Sequence, residues 1–98
     1  MKKTFNVEHP KIKMARMFEA AKHDIKKYLK RERNKALPVE ADFWDFDCKY
    51  GATEQDAKVI HVAQINEMLV QAEQQQLSSF YLEIIAKPAQ RMSKPSAQ

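Results

Sequence analysis

A single glycine, Gly51, stands in the 98 residues of this chain, beside a single cysteine, Cys48. So little glycine excludes nucleotide cradles, because a phosphate-binding loop brings several backbone N–H groups close to the ligand at positions without side chains. No CxxC, HExxH or GxSxG pattern occurs either, which removes the common redox, zinc-protease and hydrolase signatures. A lone cysteine closes no internal disulfide and suits a reducing compartment, so the expected location is the cytoplasm. Apolar runs are short as well; none approaches the roughly 18 to 20 residues of a membrane span. The start MKKTFNVEHP has two lysines but no apolar core of about 7 to 15 residues behind them, so no export signal is read.

What is present is charge, unevenly placed. With 44% hydrophobic residues over 98 positions, the chain suffices for one domain with one core and is too short for two. The net charge is +4, yet residues 1–37 hold twelve Lys or Arg against four Asp or Glu, while residues 38–98 hold five against nine. A local excess bears on partners more than a uniform one, since the potential over that surface reaches several kT while the rest of the molecule repels the same ligand. Its densest stretch is KKYLKRERNK, residues 26–35.

Periodicity organises the chain. KTFNV, residues 3–7, alternates with Phe5 and Val7 on one side and predicts a first strand. Pro10 suits the first turn of a helix, where its missing N–H has no intrahelical partner. From Lys11 to about Arg33 the residues Met14, Phe18, Ala21, Ile25 and Leu29 then recur at spacings of three and four. Arg16, Lys22, His23, Lys26, Lys27, Lys30 and Arg31 fill the remaining arc, so KKYLKRERNK is the end of an amphipathic helix. There the macrodipole alone favours cations by roughly 0.3 to 1 kcal/mol each. After a loop over residues 37–41, DFWDFDCKYG alternates strictly: Trp44, Phe46, Cys48 and Tyr50 on one side, Asp45, Asp47 and Lys49 on the other.

Residues 53–76 admit two readings. One is a single long helix opened by Thr53 with Asp56 three residues later, an imperfect capping box. The other splits near Ala63 into a strand, KVIHVA, and a helix, INEMLVQA, with Ile65, Met68, Leu69 and Ala72 aligned. The split is preferred, because in one helix Lys58 and His61 share the face of Ile65 and Leu69 while Val59, Ile60 and Val70 fall outside it. SFYLEIIAK, residues 79–87, is the last strand, and PAQRMSKPSAQ, residues 88–98, reads as a disordered basic tail.

The order β-α-β-β-α-β resembles the ferredoxin-like split βαβ architecture. That resemblance implies one α+β domain over residues 1–87, a two-layer sandwich whose four-stranded antiparallel sheet has both helices on one face and the other face open. The one-helix alternative gives βαβαβ instead. In DFWDFDCKYGAT and SFYLEIIAKP above all, the chain is similar to a small family of uncharacterised bacterial proteins of about this length. Neither resemblance implies an activity.

On this arrangement Asp47 and His61 lie opposite each other on the open sheet face, with Asp45 beside them and Thr4, Asn6, Tyr81, Glu83 and Ile85 from the other strands. A cross-strand Asp and His can serve as base and orienter or ligate a metal. The plainer reading is a surface pair worth roughly 0.2 to 1 kcal/mol, with Glu83 two strands and roughly 10 Å from His61. The face is read as acidic, unfit for a phosphate backbone and without the paired exposed aromatics that stack bases. Cys48 reads as a small buried hydrophobe, Trp44 as core, His23 as a solvated group on the basic arc and His9 as part of the approach to the helix. No catalytic residue, cofactor or metal ligand is assigned, and no enzymatic activity is expected.

Two functions remain for the basic helix. The first is sequence-independent binding of nucleic acid or the ribosome, with Lys22, Lys26, Lys27, Lys30, Arg31, Arg33 and Lys35 on phosphates and Arg91 and Lys94 in support. The alternative is a protein-interaction or self-association module that docks the helix on an acidic surface; residues 38–87, with three cations against nine acids, offer one in another copy. Against both stands the plain reading that the cations keep a helix face solvated. The oligomeric state is left open.

Overall fold

The computed structural model describes residues 1–90. Within them the chain forms β1 (Lys2–Asn6), α1 (Met14–Arg33), β2 (Phe43–Gly51), β3 (Lys58–Ile60), α2 (Ile65–Gln74) and β4 (Ser79–Ala89), with a 3-10 turn at Val62–Gln64 ahead of α2. The α+β class and the order β-α-β-β-α-β are those expected, and residues 53–76 divide rather than forming one helix. Among the described residues no helix is long and apolar enough to cross a membrane. The proposed tail contacts Arg91 and Lys94, and most of the expected disordered stretch, lie outside the described residues.

All strand pairs are antiparallel, and the sheet order is β1-β4-β2-β3. A ferredoxin-like sheet keeps its first strand in the middle; here β1 is an edge and β4 takes the centre. The strands' composition accounts for this. β4 has apolar residues on both faces, Phe80, Leu82 and Ile84 on one and Tyr81 and Ile85 on the other, as a strand flanked on both sides tends to have. β1, KKTFN, is short and lysine-bearing, a composition that suits an exposed edge. Pro88 extends β4 past the end of β1, where β4 has a neighbour on one side only, a position at which a missing N–H is tolerated.

β1 and β2 run parallel with β4 between them, and β3 and β4 run parallel with β2 between them. Each helix therefore joins two parallel strands across an intervening one. Both helices bury their apolar stripes in the same cluster: Phe18, Ala21 and Ile25 from α1 and Ile65, Leu69 and Ala72 from α2 meet Phe5, Phe46, Cys48, Phe80, Leu82 and Ile84 from the sheet. Phe80 lies at the centre, stacked on Phe5 and Phe18 with ring centroids 5.1 and 5.9 Å away. Truncating a core side chain such as Leu69 to alanine costs about 2 to 5 kcal/mol at sites of this kind.

Three local readings change. Pro10 does not open α1: the His9 imidazole Nδ1 accepts the Lys11 N–H at 3.0 Å, which closes a separate turn, and the helix begins at Met14. β3 stops at Ile60, because His61 leaves the ladder to cap the following turn, accepting the Ala63 N–H at Nδ1 while the Gln64 side chain accepts the His61 N–H. Thr53 and Asp56 do bond each other as a cap would, but they close a single turn between β2 and β3.

Candidate polyanion-binding face of the first helix

α1 is amphipathic because its apolar residues recur every three or four positions, and burying that stripe forces the intervening cations outward. Lys26, Lys27 and Lys30 are exposed, and Lys22 is half-buried at the flank nearest α2. None of the four has a carboxylate within ion-pair distance among the described residues. Glu19 and Glu73 line a shallow depression with Lys22, His23 and Lys26 without pairing to them, and exposed Asp24 stands three residues before Lys27, also outside ion-pair distance.

The other three predicted cations have intramolecular partners. The Arg31 guanidinium sits 5.6 Å from the Tyr28 ring centroid, and that of Arg33 sits 5.3 Å from the Phe46 ring. Each contact is worth about 0.5 to 1 kcal/mol at an exposed site. A contact with an aromatic ring leaves the arginine's charge unneutralised, so both arginines stay in the candidate set. Lys35 is different. Its Nζ lies 2.9 Å from one oxygen of Glu32 and 3.1 Å from the other, and Glu32 is a buried carboxylate that needs a counter-charge. Glu32 and Lys35 stand three apart, a pairing distance on a helix that the sequence already contained.

Trp44 is held in place by its indole N–H, which donates to the Lys35 carbonyl at 2.9 Å and ties β2 to the end of α1. Beside α1, on the side of α2, a groove of about 150 Å³ opens between the two helices with Lys22 and Lys26 on its rim. Nothing in the residue spacing of either helix pointed to this groove; it exists only where they meet.

The outer sheet face corrects the acidic reading. Cross-strand register places Glu83 between Lys2 and Lys49, and Asp45 opposite Lys87. Asp47 pairs with Lys87 at 2.8 Å, which raises the lysine's pKa through the hydrogen bond and the carboxylate's charge. Three carboxylates thus stand beside three lysines in register, and one pair, Asp47–Lys87, is within ion-pair distance. Nor does Tyr81 lie open as expected: it is 3% exposed, between Thr4 and Gly51 in register. The backbone of Asp56 and Ala57 lies over Gly51, so near that a Cβ there would stand 2.7 Å from Ala57. This cover explains how an outward-facing residue is shielded. Burial first, and then the hydrogen bond to Glu83 at 2.8 Å, pushes the Tyr81 phenol up to about 12.

Of the set Asp45, Asp47, His61 and Glu83, the first three line one open depression at β2 and the end of β3, and Glu83 lies outside it. His61 has its Nδ1 occupied as a helix cap, Glu83 accepts the Tyr81 hydroxyl, and Asp45 accepts the Phe46 N–H at 2.8 Å. No group of three or more His, Cys, Asp or Glu is placed to hold a metal among the described residues. Cys48 is buried, and burial with the charges of Asp47 and Asp45 pushes its thiol up to about 11, away from the thiolate form that reacts. The profile of a family of unknown function, DUF6172, matches residues 1–95. The chain belongs to that family. No curated protein and no solved structure matches this DUF6172 chain. The family brings no activity with it, so a function for this member has to come from the charge pattern of α1 and its surroundings.

Proposed function

We propose that the chain is a non-catalytic binding module that holds nucleic acid, free or within the ribosome, on the exposed cations of α1 without reading base sequence. The observation that supports this is the contrast in charge pairing. Lys22, Lys26, Lys27 and Lys30 have no carboxylate partner among the described residues, whereas the sheet's outer face sets each carboxylate beside a lysine. Lysines are flexible point charges that meet phosphates in many geometries. Arg31 and Arg33 add phosphate contacts at the end of the helix. The setting of this reading is a bacterial cytoplasm, where the lone thiol stays reduced.

With about four of these six cations on duplex phosphates, log K falls against log salt with a slope of about −3.6. A fluorescence titration of labelled duplexes of unrelated sequence, repeated at several salt concentrations, tests this. Equal affinities and a slope near that value are expected, and absence of binding at low salt rejects the reading. Protein purified from cells should also show an absorbance ratio at 260 and 280 nm that falls after a high-salt wash. An acidic protein surface is the alternative partner for the same cations. The outer sheet face of a second copy offers it poorly, since it has no unopposed run of carboxylates, and sedimentation at two ionic strengths tests self-association through the other acids of residues 38–87.

A further inference from the structure

We propose that the groove between α1 and the start of α2 binds a small amphipathic anion, an apolar body about the size of a six-membered ring bearing one carboxylate. Its base is apolar: Ile25, Ile65 and Leu69 are buried there, and Leu29 and Val62 rise beside them, half-buried. Ala63, small and exposed at the edge, leaves the opening unfilled. The volume is about 150 Å³, roughly the size of an enclosed apolar cavity that accepts benzene, although this groove opens to solvent on one side. Sites between packed helices, apolar with a few polar groups at the edge, are common places for small ligands.

The polar groups at this edge fix the charge of the ligand. Lys22 and Lys26 come from α1 and Asn66 from α2, and no carboxylate lines the groove. Neither lysine is paired to a carboxylate among the described residues, so the nearby acids do not already cancel the charge an anion would meet. A neutral apolar molecule fills the base but leaves both ammonium groups without a partner, and a small anion such as acetate pairs with them but leaves the base empty. Because Lys22 and Lys26 also belong to the nucleic-acid face, an occupied groove withdraws two phosphate contacts. This regulatory consequence rests on the proposed function; binding of the anion does not.

The probe is benzoate, compared with benzyl alcohol and acetate, followed through the amide resonances of the full chain by nuclear magnetic resonance. Benzoate should give saturable shifts centred on residues of the groove, and benzyl alcohol, which lacks the charge, and acetate, which lacks the apolar body, should each bind roughly five-fold more weakly or worse. The double variant K22Q/K26Q should lower benzoate to the affinity of benzyl alcohol. Ala63→Leu, which fills the opening from an exposed position, should abolish the saturable shifts while the spectrum keeps its native dispersion. Shifts that grow linearly without saturation, equal binding of acetate, or unchanged binding by Ala63→Leu overturn the proposal. So does tight binding of an acidic peptide with one apolar anchor when benzoate fails, which assigns the groove to a protein partner. If benzoate binds but nucleic acid does not, the groove stands and the proposed function falls. If both bind, saturating benzoate should make the salt slope for duplex shallower by about 1.8, and an unchanged slope rejects the regulatory link.

Discussion

The outer arc of α1 and the outer face of the sheet are both charged, solvent-facing surfaces, yet they handle charge in opposite ways. On the sheet, antiparallel register brings residues from distant parts of the chain side by side: Lys2 and Lys49 flank Glu83, and Lys87 pairs with Asp47. On α1, neighbours come from the same short stretch of chain, and that stretch is KKYLKRERNK. Its one carboxylate, Glu32, is buried and pairs with Lys35, which stays exposed. Lys26, Lys27 and Lys30 are left facing water without an ion pair among the described residues, with exposed Asp24 three residues before Lys27. A surface charge pair contributes little to stability, about 0 to 1 kcal/mol. The difference therefore matters for partners more than for folding.

Reversing the unopposed charges should give the largest effect. The triple variant K26E/K27E/K30E should lose about two to three orders of magnitude in duplex affinity near 0.1 M salt, from three lost phosphate contacts. Its urea midpoint should barely move. A large loss of stability instead would mean that these lysines hold the fold and would erase the contrast.

Gly51→Ala tests the covered end of the sheet face. A methyl there meets the backbone of Asp56 and Ala57, and overpacking of this kind costs about 1 to 3 kcal/mol, readable by urea denaturation. It should also uncover Tyr81 and bring its ionisation, followed by ultraviolet absorbance, back toward the ordinary value.

Alkaline pH probes the same end. Tyr81 is pushed above its ordinary value of 10.0 to about 12, so between these values the folded state holds a proton that the unfolded state has released. Stability from this source is complete below about pH 10 and declines as pH rises toward 12. Lys87, also raised, adds a loss of the same sign above its ordinary 10.5. Denaturation midpoints measured across that range should fall, and Tyr81→Phe should flatten the decline. Smallest of all, Asp47→Asn removes one exposed pair and should change stability by less than about 1 kcal/mol; a larger cost would show that the sheet's pairing is structural after all.

The elements were legible because their signals are local. Phe18, Ala21 and Ile25 repeat with a helix period, and Phe46 with Cys48 and Phe80 with Leu82 and Ile84 alternate with a strand period; each set is buried. The end of β3 was readable in principle as well. His61 and Gln64 have capping-box spacing, but the β-branched residues around them pointed toward strand. Arg31 and Tyr28, three apart on α1, were similarly within reach, whereas the contact of Arg33 with Phe46 joins a helix to a strand and was not.

Sheet order, the charge balance of the outer face, the burial of Tyr81 and the groove beside Lys22 all depend on which element lies next to which. Antiparallel strands with the same alternation can neighbour one another in several orders, and no residue spacing within a strand selects among them. Periodicity along the chain thus determined the helices, most of the strands, their inward faces and the concentration of cations on α1, because each follows from residues a few positions apart. Only the packing of the whole chain decided that the outer sheet face sets its carboxylates beside lysines, since residues 2, 49, 83 and 87 meet only after the sheet has closed.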